Sequence, residues 1–153
     1  VTTYIASSAL VAVYVPERFS SAARAAVRAA SGVPFTAIHR LEVSNAFELL
    51  AGRGAISRDE CRAVIAQLDE DLDAQRLVAT SLDMDDVFTR ASELSRLHTA
   101  KHLARSLDLL HVAAAHELAC TRFVSGDDRQ LGVAKASGLK VVDIKRRARR
   151  ATS

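Results

Sequence analysis

The chain of 153 residues has no tryptophan, one methionine, two prolines and two cysteines, and aromatic residues make up 5% of it. Each scarcity excludes something. Cys61 and Cys120 lie far apart and fit neither a zinc-ligand nor a redox spacing. A reducing cytoplasm is the expected compartment, with Cys120 a buried small hydrophobe in an apolar stretch. No run of 18 or more apolar residues occurs, so no membrane-spanning helix is expected. The N-terminus enters a strand-like segment without a charged leader region or cleavage site, so no signal peptide is expected. Hydrophobic residues still make up 49%. With so few aromatics, Ala, Val and Leu are expected to pack the core through close helix-to-sheet contact rather than large aromatic anchors.

The net charge of +3 is unevenly spread. Lys145, Arg146, Arg147, Arg149 and Arg150 hold five of the 21 basic residues; without them 16 basic residues face 18 acidic ones. A uniformly basic nucleic-acid-coating protein is therefore excluded. The tail, residues 145–153, can attract phosphates or serve as a disordered solubilising end. The body, residues 1–144, suits one domain.

Residues 2–5 read as a strand and Ser7 opens a helical stretch that Pro16 interrupts. Residues 20–30 form an Ala-rich helix closed by Gly32. Residues 33–38 return to strand, and 41–51 fit a helix ended by Gly52 and Gly54. Ser57 with Glu60 three residues on is a capping box, opening a helix to about Asp73. Residues 76–79 are a brief strand. Residues 83–98 are helical, with Val87, Ala91, Leu94 and Leu97 on one stripe. Residues 106–118 form a further helix, 121–125 a strand, 127–136 a helix ending at Gly138, and 139–144 the last strand. Strands alternating with helices predict an α/β fold with a mainly parallel sheet.

In such folds ligands bind beyond the carboxyl ends of strands. Ala6 and Ser7 end the first strand, Asp127 follows the fourth, and Glu42 opens the helix after the second. Asp108, His111 and Val112 share one face of their helix. Taken singly, Asp108 and Glu42 read as acids favoured by a helix dipole, and Asp127 as an N-cap. Their order carries more. Tyr4-Ile5-Ala6-Ser7-Ser8-Ala9-Leu10-Val11, Leu41-Glu42-Val43-Ser44-Asn45-Ala46, Asp108-Leu109-Leu110-His111-Val112-Ala113-Ala114-Ala115 and Phe123-Val124-Ser125-Gly126-Asp127 resemble the four signature segments of the PIN-domain nucleases, most closely the VapC toxin branch. Leu131, Ala134 and Gly138-Leu139-Lys140-Val141 fit that branch too.

The resemblance implies a central parallel five-stranded sheet of order 3-2-1-4-5 flanked by helices. It implies a site at the switch point between strands 1 and 4. It implies Mg²⁺ or Mn²⁺ held by carboxylates for hydrolysis of RNA phosphodiester bonds. Position 6 and Asp108 would ligate the metal directly, Asp127 directly or through water. Glu42 would complete the acidic ring and orient the attacking water. Ser125 and Asn45 would hydrogen-bond the carboxylates or the phosphate, and Arg105 would meet the RNA backbone. Expected partners are transfer or ribosomal RNA, a cognate antitoxin whose basic anchor enters the acidic groove, and a second copy of the chain packed through helical faces.

Ala6 departs from the pattern, which has Asp in a Leu/Ile-Asp-Ser/Thr-Ser-Ala-Leu context. A methyl group cannot ligate a cation, so weak metal binding and impaired cleavage are expected. Either the aspartate was exchanged to silence an activity toxic to the producing cell, or the natural chain is degenerate. The intact surroundings favour exchange. The other reading of the chain is a non-catalytic binding module whose groove only docks a partner. A phosphoacceptor receiver domain is disfavoured, because it needs an acid pair where Ala6-Ser7-Ser8 stands. His98 and His102 are four apart but have no third ligand, and read as surface or helix-end residues. His111 reads as packing or hydrogen bonding beside Asp108. Asp83, Asp85 and Asp86 read as helix N-terminal acids, and Asp69, Glu70, Asp71 and Asp73 as a solvated face. Ser7 and Ser8 show no His–Asp partner for a hydrolase triad. If the tail contributes phosphate contacts, deleting residues 145–150 weakens RNA binding and flattens its salt dependence. Unchanged salt dependence in a filter-binding assay identifies a solubilising end.

Overall fold

The computed structural model describes residues 2–146; most of the basic tail lies outside the described residues. Five short strands alternate with helices in the order β1 (Thr3–Ile5), α1 (Ser7–Tyr14), α2 (Ser20–Ala29), β2 (Val33–Phe35), α3 (Ala37–Gly52), α4 (Arg58–Asp73), β3 (Leu77–Ala79), α5 (Met84–Leu94), α6 (Ala100–His102), α7 (Ser106–Glu117), β4 (Arg122–Ser125), α8 (Asp128–Ala136) and β5 (Lys140–Asp143). A π-helical turn, Ser95–Thr99, joins α5 to α6. The α/β expectation holds.

Alternation along the strands sorts the core into two layers. Ile5 and Val124 face a layer built from α1 to α4, including Leu10, Ala23, Val43, Phe47 and Leu68. Tyr4 and Phe123 face the opposite layer, with Val87, Val112, Ala113 and Ala134. Alanines fill the helix contacts as expected. The few aromatics are nevertheless central: Tyr4, Phe47 and Phe123 are among the largest fully buried side chains, and Tyr4 stacks on Phe123 at 5.5 Å.

The single five-stranded sheet of order 3-2-1-4-5 is not formed. All pairings are parallel, but β1, β4 and β5 make one sheet in the order β1-β4-β5, and β2 pairs with β3 in a second. The break lies between β1 and β2, and backbone chemistry accounts for it. Ala6 N–H donates to Val124 O at 2.9 Å, so Ile5 turns its carbonyl away from β4. Thr80 N–H donates to Phe35 O, so the β2 residue facing β1 is Pro34, which has no N–H to give. Both free groups at the strand ends are taken by one imidazole. His39 Nε2 donates to Ile5 O at 2.8 Å, and Thr36 N–H donates to His39 Nδ1 at 3.0 Å.

The same contacts move a boundary. Residues 37 and 38 belong to α3, not to the strand, and the helix starts at Ala37 instead of Leu41. Thr36 is its N-cap, in a capping box that uses His39 where Glu or Gln is usual. Glu42 consequently stands in the second turn of α3. The boxed Ser57 and Glu60 open α4 as expected. Asp83 caps α5, which ends at Leu94 rather than continuing regularly to residue 98. Asp71 is not simply solvated: it accepts from Tyr14 Oη at 2.5 Å and pairs with Arg76 at 2.6 Å.

Burial, with a smaller effect from His111, lowers the His39 pKa to about 3, so the ring stays neutral. A chain unfolded at pH 5 takes up a proton at this ring that the folded state does not bind. Stability therefore rises with pH between about 3 and 6.5, by about 1.4 kcal/mol per pH unit from this group alone. His39→Ala leaves the Ile5 carbonyl and the Thr36 N–H unpaired and lowers the unfolding free energy at pH 7 by about 2–5 kcal/mol. Urea melts of both chains across that pH range test this, and the variant loses that component of the slope.

Candidate active site

The ends of β1 and β4, together with α3 and α7, place Glu42, Asp108 and Asp127 around one cavity of about 430 Å³. Ser7, Ser8, Val11, Ala46 and Gln130 complete its lining. Each acid arrives by a local rule. Asp127 is the N-cap of α8, accepting from Gln130 N–H at 3.0 Å through Oδ1. Asp108 reaches back in the first turn of α7 to accept from Arg105 N–H at 3.0 Å through Oδ2. Glu42 projects from α3 to His111, with Oε1 accepting from Nε2 at 2.9 Å.

The carboxylates are not electrostatically equivalent. The His111 hydrogen bond, helped by the Ser7 hydroxyl, holds Glu42 below the usual carboxylate range in spite of partial burial. Burial raises the Asp108 pKa, and the charges of Asp127 and Glu42 raise it further against the Arg105 N–H. The pKa values of these two acids on one cavity are thus moved in opposite directions.

Of the residues expected in the site, three acids meet and others do not join them. Ala6 is 1% exposed and is the N-cap residue of α1 without a side-chain bond; its methyl joins the core beside Tyr4 and Ile38 and does not line the cavity. Asn45 is exposed on α3 and does not line it either. Ser125 is buried and serves the turn: Oγ donates to Gln130 Oε1 at 2.7 Å and accepts from Asp127 N–H at 3.0 Å. Arg105 is exposed at the start of α7. The rings of His98 and His102 stand 6.4 Å apart and do not line that cavity, and His102 packs against Gly132. Cys61 and Cys120 are buried free thiols, and burial pushes Cys120 up to about 11.

Gln130 is the lining residue that the sequence reading omitted. It is buried, and its Nε2 donates to Asp108 O at 3.4 Å, tying α8 to α7. The signal was present in Asp127-x-x-Gln130, which has capping-box spacing.

The donors are hard oxygens, the kind Mg²⁺ and Mn²⁺ prefer. Asp108 and Asp127 each commit one oxygen to a cap, and each has a second. Among the described residues, however, no group of three or more His, Cys, Asp or Glu side chains is close enough to hold a metal. The three acids line one cavity without forming a three-acid cage.

A second cavity, about 600 Å³, lies between α8 and β5 and is lined by Lys135, Lys140 and Arg146 as well as Asp128 and Asp143. Its charges are mixed, since Arg146 pairs with Asp143 and Lys145 with Asp128. Among the described residues no helix is long and apolar enough to cross a membrane.

Asp127→Asn keeps an N-cap for α8 but removes one of the charges that raises Asp108. The Asp108 pKa then falls, read as the midpoint of its carboxyl ¹³C shift against pH. An unchanged midpoint shows that the two carboxylates do not share a cavity.

No protein-family model matches the chain, and no curated protein matches it by sequence. Among solved structures, the crystal structure of FitAcB from Neisseria gonorrhoeae is similar at a TM-score of 0.64 and 15% sequence identity, over 94% of this chain and 99% of the compared one. At that identity the likeness extends to the fold: the chain shares the α/β architecture of FitAcB along almost its full length.

Proposed function

We propose that the chain is a PIN-type endoribonuclease toxin, of the VapC kind, whose chemistry is impaired by alanine at position 6. The observation that carries this reading is the meeting of Glu42, Asp108 and Asp127 on one cavity at the ends of β1 and β4. The four resembling segments and the fold shared with FitAcB support it.

Asp108 and Asp127 would hold Mg²⁺ or Mn²⁺ through the oxygens not spent on caps, with an acid at position 6 as a further ligand. When bound, such an ion neutralises phosphate charge and activates water at neutral pH. Glu42, kept ionised by His111 and Ser7, accepts a hydrogen bond from the attacking water and orients it. Gln130 and Ser125 hold Asp127 and α7 in register. RNA, of the transfer or ribosomal class, would enter the acidic cavity, and Lys135 and Lys140 on the second cavity are cations that could meet its phosphates. A cognate antitoxin would block the same acidic cavity with a basic side chain. Exposed Phe88, Leu97, Leu103 and Leu107 supply apolar surface for a second copy.

A non-catalytic docking module is the other reading, favoured by the lack of a three-acid cage among the described residues. One substitution separates them. Ala6→Asp raises Mg²⁺-dependent RNA cleavage roughly 100-fold over the present chain, and adding Asp108→Asn removes the gain. Cleavage that stays at background in the Ala6→Asp chain refutes the nuclease and leaves the docking module.

A further inference from the structure

We infer that His111 is the positioning residue for Glu42: its ring, set by Tyr4, presents Nε2–H to the Glu42 carboxylate and fixes where that carboxylate stands in the cavity. The inference rests on reading the cavity as a nuclease site. His111 lies one turn beyond Asp108 on α7 and is 1% exposed. Both ring nitrogens are engaged. Tyr4 Oη lies 2.7 Å from Nδ1, while Glu42 Oε1 at 2.9 Å and Ser7 Oγ at 3.0 Å lie at Nε2.

The carboxylate fixes the hydrogen at one ring nitrogen: an ionised carboxylate only accepts, so Nε2 carries a hydrogen, while Nδ1 is engaged by the Tyr4 hydroxyl. The groups facing the ring come from three elements: Tyr4 on β1, Ser7 on α1, and His39 and Glu42 on α3. Tyr4 has its own anchor, stacked on Phe123 at 5.5 Å and set against His39 at 4.8 Å. The ring therefore cannot turn without breaking a buried bond. Through it, Glu42 on α3 is held at a fixed place relative to Asp108 on α7.

The test uses the full chain carrying Ala6→Asp as reference. His111→Ala lowers kcat for RNA cleavage by about 10–100-fold with KM nearly unchanged. His111→Gln, whose amide N–H can stand in for Nε2–H, recovers most of the loss, and Tyr4→Phe gives a smaller decrease. Independently of activity, imidazole ¹⁵N spectra of the present chain show His111 protonated at Nε2, and Glu42→Gln shifts that resonance. A folded His111→Ala chain with full kcat, or His111 protonated at Nδ1 alone, overturns the inference. If the Ala6→Asp chain does not cut RNA, the nuclease reading fails on its own, and the spectra decide whether His111 holds Glu42.

Discussion

One imidazole holds the two halves of this fold together. His39 sits where a backbone ladder between β1 and β2 would run and satisfies a carbonyl on one strand and an N–H at the end of the other. A ladder bond joins two groups directly; an inserted ring separates them and brings its own requirements. It must stay neutral, because a protonated Nδ1 could no longer accept from Thr36. Burial enforces this. The ring also stacks on Phe35, lies tilted against Tyr4 and stands 5.0 Å from His111. The bond that closes the sheet gap thus starts a chain of contacts, from β2 through Tyr4 to His111 and Glu42.

That continuity explains how so few aromatics suffice. Alanine-rich helices can approach a sheet closely, but they do not lock its rotation or register. Tyr4, Phe35, Phe123, His39 and His111 supply that lock at the centre, each with a defined ring plane and, for Tyr4 and the histidines, a defined hydrogen bond. Such a network is stabilising only when every buried polar atom in it is paired. Its acidic end faces the cavity, and its apolar end is the core.

Much of this was legible in the residues. The alternation of strands and helices, the Ser57–Glu60 box and Asp127 as the N-cap of α8 all rest on local rules. The split sheet was not legible, because Pro34 looked like one residue of a plausible edge and nothing marked His39 as the group that would replace its missing N–H. The early start of α3 was hidden for the same reason: the box at Thr36 closes with histidine. Asn45 fell outside the cavity because its helix turns it to solvent, whereas Ala46 beside it lines the wall. Gln130 was overlooked although its spacing from Asp127 was diagnostic, since its second role, reaching Asp108 O, depends on how α8 lies against α7.

Position 6 shows what the arrangement costs. An aspartate at the N-cap of α1 would add a side-chain cap that alanine lacks, worth about 1 kcal/mol. It would also place a carboxylate at a site only 1% exposed, beside a cavity that already holds three. Burial, and after it the charges of Asp127 and Glu42, already raise the Asp108 pKa. A fourth charge would raise that repulsion, and desolvation at a buried site outweighs a single cap. Alanine is therefore the more comfortable residue for folding without a cation, and aspartate becomes tolerable when a divalent ion offsets the charges. If the cavity is the metal site proposed above, the methyl group that fills this corner of the core trades function for stability at one side chain.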